Sequence, residues 1–192
     1  MTFPVLTTSL ELLRRVAVDV PADRLDDPTP CSEWTVAQVL LHAAADQHAW
    51  ASVVGSSPLP SYDPFAPPRQ LDGTVDDLID AAIETAATAW AGIDPTAGSV
   101  RTPLPPAPTM TPQLAACACA LDAAIHAWDI AAATGQDSPL TAQLAEHLEP
   151  AARATAAPLR GFAYAPALPD QPGDDAAAAL LRYLGRDPNW TP

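Results

Sequence analysis

The chain has 192 residues, long enough for one domain with a substantial core, and 9 basic residues, all arginine, against 23 acidic ones give a formal charge of -14. A chain this acidic lacks the cationic footprint of a nucleic-acid binder and is repelled by an anionic membrane surface, so neither is expected as a partner. Cys31, Cys117 and Cys119 fit no disulfide framework, no basic stretch leads into an apolar leader, and no segment approaches the ~20 unbroken apolar residues of a membrane span, so a soluble cytoplasmic protein is expected.

The 3.6-residue period and the capping residues mark helices, and nothing shows the alternation of a multi-stranded sheet. A first helix is expected over 8–18, with Leu10, Leu13 and Val16 on its apolar edge and Pro21 beyond its end. A second opens at 33–35 and runs to Gly55, a suitable stop. The segment 58–68 holds five prolines in eleven residues and cannot sustain helical hydrogen bonding.

Thr74, with Asp77 three residues on, resembles a helix cap, and Leu78, Ala82, Ile83, Ala86 and Trp90 supply the buried face of a third helix. A second proline-rich break covers 103–108, and Thr111 followed by Pro112 then starts a fourth helix that ends at Gly135. A further helix over 141–154, a proline-punctuated segment and a short helix over 174–184 complete the chain. The expectation is an all-α fold, a four-helix bundle with long Pro-rich connections at 56–73 and 93–110 and a short extra C-terminal helix, in one domain over 1–192.

The chemistry concentrates on the second and fourth helices. Asp122 and His126 are four residues apart, so both side chains leave one helix face about one turn from each other. His42, on the second helix, projects to the border of the apolar face with Asp46, whereas His48 points away. Two imidazoles and a carboxylate suit a borderline divalent ion such as zinc. A border histidine is nevertheless more often a packed, hydrogen-bonded residue than a ligand, so residue chemistry alone leaves both readings open. On the fourth helix Leu114, Cys117, Leu121, Ile125 and Trp128 form the expected core stripe, and Cys119, Asp122, His126 and Asp129 line its edge.

Three blocks, TPCSEWTV at 29–36 followed by His42, DAAIHAWDIAAATG at 122–135 and GRDPNW at 185–190, resemble the actinobacterial branch of the DinB-like superfamily related to mycothiol-dependent maleylpyruvate isomerase. The resemblance implies a four-helix bundle that binds one divalent metal, with His42, Asp122 and His126 as its ligands. It departs at Asp122, where members often carry Glu or His, so nickel, iron or manganese stand beside zinc. The isomerase carries an additional C-terminal domain while this chain ends soon after its bundle, so its particular reaction is not carried over.

The resemblance further implies a metal-dependent transferase or isomerase acting on a small electrophilic metabolite, with a low-molecular-weight thiol such as mycothiol as cosubstrate. Asp46 and Asp129 are candidates to orient the ligand imidazoles by accepting their remaining ring N–H. Arg101, before the fourth helix, is a candidate contact for an anionic cosubstrate or substrate group. Cys31 and Trp34 read as structural. The alternatives are a cofactor-independent enzyme of secondary metabolism that rearranges an apolar substrate in the bundle cavity, and a non-catalytic metal- or ligand-binding module. Homodimerisation is compatible with the architecture.

Overall fold

The computed structural model describes residues 3–55, 57–105 and 107–192. Pro4 takes the first turn of α1 (Pro4–Val18), where its missing N–H costs no hydrogen bond, so this helix begins earlier than the expected 8. It buries Leu6, Leu10, Leu13 and Val16. α2 (Val36–Gly55) starts after Thr35, which is held in an isolated bridge to Pro28. Thr74 caps α3 (Val75–Ala91) by accepting the Asp77 N–H at 3.1 Å. Thr111 caps α4 (Pro112–Thr134) in the same way, and Gly135 ends it in the left-handed region at φ 74°, which favours glycine. α5 (Ala142–Thr155) and α6 (Ala176–Tyr183) follow.

A two-residue antiparallel ladder, β1 (Val100–Arg101) with β2 (Thr109–Met110), lies within the second proline-rich connection. It is too short to leave an alternating pattern in the sequence.

The fold is mostly α, and its helices form a bundle. α1 packs on α4, α4 on α2, α2 on α3, and α3 back on α1, closing a ring of four. α5 covers α4 from outside that ring, and α6 packs on α5. Trp50 and Trp90, with ring centroids 6.0 Å apart, fill the α2–α3 side of the core.

Because α1, α2 and α5 all press on α4, it has no solvent stripe. The expected core stripe is therefore an over-simple picture: Ala115, Cys119 and Ala123 are fully buried, while Leu114 and Cys117 are only half-buried. The small alanines let three helices approach at once. By length and mean hydropathy α4 could cross a membrane, although Asp122, His126 and Asp129 interrupt its apolar run, and 83% of that window is buried inside the bundle.

The loop over 57–73 folds back onto α2. Tyr62 Oη donates to the Leu41 carbonyl at 2.7 Å, and Gln38 Nε2 donates to the Pro67 carbonyl at 3.1 Å. Burial pushes the Tyr62 hydroxyl up to about 12, so it keeps its proton and remains a donor near neutrality. These contacts bring the loop over the face of α2 that carries His42.

Candidate metal centre

Three donor side chains converge between α2 and α4. Asp122 Oδ1 lies 3.4 Å from His42 Nε2 and 3.4 Å from His126 Nε2, and the three donor atoms are all within 4.8 Å of one another. The i, i+4 spacing of Asp122 and His126 supplies two donors from one face of α4, and the α2–α4 contact supplies the third.

Each imidazole is held from behind. His42 Nδ1 is 2.7 Å from the Pro64 carbonyl, which can only accept, so that nitrogen is the donor. His126 Nδ1 is 2.9 Å from Asp129 Oδ2. Both ring N–H groups are thereby committed outward, and both Nε2 lone pairs face Asp122.

This arrangement fits a divalent cation. Without one, each Nε2 could bond Asp122 only through a proton placed between them, with the two rings 4.7 Å apart in a confined space. Distances of 3.4 Å are also long for charge-assisted hydrogen bonds. They match the ligand–ligand edge of a tetrahedron with bonds of roughly 2.1 Å, which is about 3.4 Å. Asp122 Oδ2 has no hydrogen-bond partner although it is buried.

The electrostatics agree. Burial alone would raise the Asp122 carboxyl, but the neighbouring His126 and His42 outweigh it and hold the group well below the usual carboxylate range. His126 is pushed well up: burial opposes the charged ring, and Asp122, Asp129 and Cys31 overcome that. Carboxylates that favour a proton at this position also favour a metal ion in its place.

Asp129 is fully buried and fully engaged. Arg186 Nε reaches its Oδ1 at 2.9 Å and Nη2 its Oδ2 at 2.8 Å, a two-point pairing across 57 residues of sequence. The Cys31 thiol donates to the same Oδ2 at 3.3 Å, and Arg186 Nη2 approaches the sulfur at 3.2 Å. Burial would raise the Asp129 carboxyl, yet the Arg186 charge and the bonds from His126 and Arg186 hold it far below its ordinary value. Cys31, His126 and Asp129 also lie close enough to share an ion. The guanidinium already occupies that carboxylate, which favours the other cluster.

Asp46 does not orient an imidazole. The Pro64 carbonyl takes that part for His42, and Asp46 lines the cavity with Oδ2 buried and unpartnered. Burial, then the charge of Asp122, raises its carboxyl well above the usual value against the opposing influence of His126 and Trp50. Cys119 is not one of the clustered donors and gives its S–H to Gln47 Oε1 at 3.1 Å. Arg101 sits exposed on β1 and is not among the cavity residues, although Leu104 and Pro105 of the same connection are.

The donors form the floor of a cavity of about 370 Å³, within the range of small-molecule sites. Trp34, tilted against the His42 ring at 4.6 Å, lines one side, and Leu159, Tyr164 and Leu184 from the C-terminal part line another. Sequence alone assigns no role to Arg186, Tyr164, Phe65 or Phe162. Arg186 stands in the GRDPNW block at 185–190, so its signal was present without a partner.

The fold and the donor cluster together define a DinB-like helical domain with a candidate metal centre in its bundle. The chain belongs to the mycothiol maleylpyruvate isomerase N-terminal domain family, whose model matches residues 6–131. Two similar proteins come from Mycobacterium tuberculosis, "Uncharacterized protein Rv0738" of strain ATCC 25618 / H37Rv and "Uncharacterized protein MT0763" of strain CDC 1551 / Oshkosh. Each is 34% identical over 174 residues, covering 88% of this chain and 88% of the relative. No solved structure matches the chain. The family match ends within α4, so α5, α6 and Arg186 lie beyond it.

Proposed function

We propose that this protein is a divalent-metal-dependent enzyme that uses a low-molecular-weight thiol, mycothiol, to transfer to or isomerise a small electrophilic metabolite. The observation that carries this reading is the pair of imidazoles tied off at Nδ1, with both Nε2 atoms aimed at Asp122 on the floor of an open cavity. His42, Asp122 and His126 would hold the ion, with zinc the best match to the donor set. The chemistry a divalent cation supplies when bound is stabilisation of a thiolate near neutral pH.

The chain's own residues do the rest. Pro64 and Asp129 fix the ring orientations, and Arg186 with Cys31 fixes Asp129. Asp46, whose side chain lines the cavity and keeps one oxygen buried and unpartnered, is the candidate to exchange a proton with a bound molecule. Three free cysteines and the mycothiol-related family support a reducing cytoplasm as the compartment. The packing of α5 on α4 and of α6 on α5 supports reading the whole chain as one unit.

The test is consumption of mycothiol with a panel of electrophiles, by wild type, chelator-treated wild type and His126→Ala. Turnover that is lost on chelation and in the variant is the expected result. Turnover insensitive to both would favour a cofactor-independent cavity enzyme, and binding without turnover would favour a non-catalytic module.

A further inference from the structure

The lip of the cavity is aromatic. Phe65, from the 57–73 loop, and Phe162, just after the 3-10 turn Ala157–Leu159, are 46% and 64% exposed, and their ring centroids lie 4.9 Å apart. Both line the cavity, and Phe65 lies 6.1 Å from the His42 ring, so an apolar path runs from the lip to the donors. Two large aromatic side chains left in water and paired across a cavity mouth mark a contact surface for an apolar ligand.

Charge narrows the choice. Among the described residues lining the cavity the single arginine is Arg186, whose Nε and Nη2 are committed to Asp129 while Nη1 lies 3.4 Å from the Leu184 carbonyl. Glu33, Asp46 and Asp122 add acidic groups to the same lining. An anionic group on a ligand therefore has one favourable place, the ion held by His42, Asp122 and His126, and a second anionic group has none.

We propose that the ligand class of this cavity is a planar apolar or conjugated molecule with a single anionic or polar end. That end lies on the floor and the flat body rests against the joined Phe65 and Phe162 rings at the mouth, so that dianions are excluded. This assignment rests on the metal reading above. The substrate sits with one polar atom at the donors, and the joined Phe65–Phe162 pair offers an apolar surface to its body at the mouth.

The test uses zinc-loaded protein and three probes followed by calorimetric titration: benzoate, terephthalate and acetate. Benzoate and terephthalate share the ring and differ by one carboxylate, whereas acetate has the head alone. Benzoate should bind at least about tenfold more tightly than either. Phe162→Ala, a change at an exposed position that leaves the bundle folded, should weaken benzoate by roughly threefold to tenfold and leave acetate unchanged. Terephthalate binding as tightly as benzoate, or benzoate binding indifferent to Phe162→Ala, overturns the assignment. Zinc content of the same samples separates the failures. Zinc held without the benzoate preference overturns the ligand class alone, and no zinc held overturns the metal reading and this assignment with it.

Discussion

Around Asp129, on α4, every polar atom has a partner, whereas Asp46, on α2, has an oxygen with none. Asp129 accepts from Arg186 twice, from His126 and from Cys31, and its charge is stabilised. Asp46 is buried beside the like charge of Asp122, and its charge is disfavoured. A buried carboxylate with a complete set of donors holds a neighbouring ring in place, and one that lines a cavity with an unpartnered oxygen carries a cost in stability that a ligand could relieve. The first region is built for position and the second for exchange.

The largest expected effect comes from breaking the paired region. Arg186→Met leaves a carboxylate buried without its cation and should cost about 3–5 kcal/mol by denaturant unfolding of the metal-free protein. A loss under about 1 kcal/mol would show that water reaches Asp129 and that the pairing is not a structural device.

Acid separates the two carboxylates by sign. The folded value of Asp129 is depressed, so its stabilisation is present above the unfolded value of about 3.9 and is lost as pH falls below it. The metal-free wild type should therefore lose stability steeply below about pH 4, and an Asp129→Asn, Arg186→Gln double variant should show a shallower slope. The folded value of Asp46 is raised, so the stability of its neutral form is present at low pH and lost as pH rises through the folded value. Asp46→Asn should accordingly stabilise the metal-free protein at pH 8, by on the order of 1 kcal/mol, and have little effect near pH 4. Destabilisation at pH 8 would mean that Asp46 is paired after all.

The smallest effect sharpens the comparison at the 57–73 loop. Tyr62→Phe removes the bond to the Leu41 carbonyl and should cost about 1 kcal/mol in thermal or denaturant unfolding. Faster hydrogen exchange confined to the 57–73 loop would accompany it, and unchanged exchange there would show that the other contacts suffice.

The sequence carried much of this in local signals. Thr74 announced one helix start through its side-chain cap, Thr111 followed by Pro112 announced another, and Gly135 announced an end. Asp122 and His126 were legible as a pair because helical spacing alone puts them on one face, and the α2–α4 packing adds His42 in space. What could not be read depends on distance in the chain or on the backbone. Arg186 meets Asp129 from 57 residues away, and His42 is oriented by a carbonyl, a group every residue possesses. The stripe assigned to α4 failed because a helix buried on all sides has no apolar edge to find.

The central claim is that His42, Asp122 and His126 hold one divalent ion, and equilibrium zinc titration of folded, metal-free protein followed by elemental analysis tests it most directly. The account predicts close to one ion per chain for wild type and near none for His126→Ala, with the variant still folded by circular dichroism. A folded wild type that takes up no zinc, nickel, iron or manganese, or a His126→Ala variant that keeps a full equivalent, would contradict it.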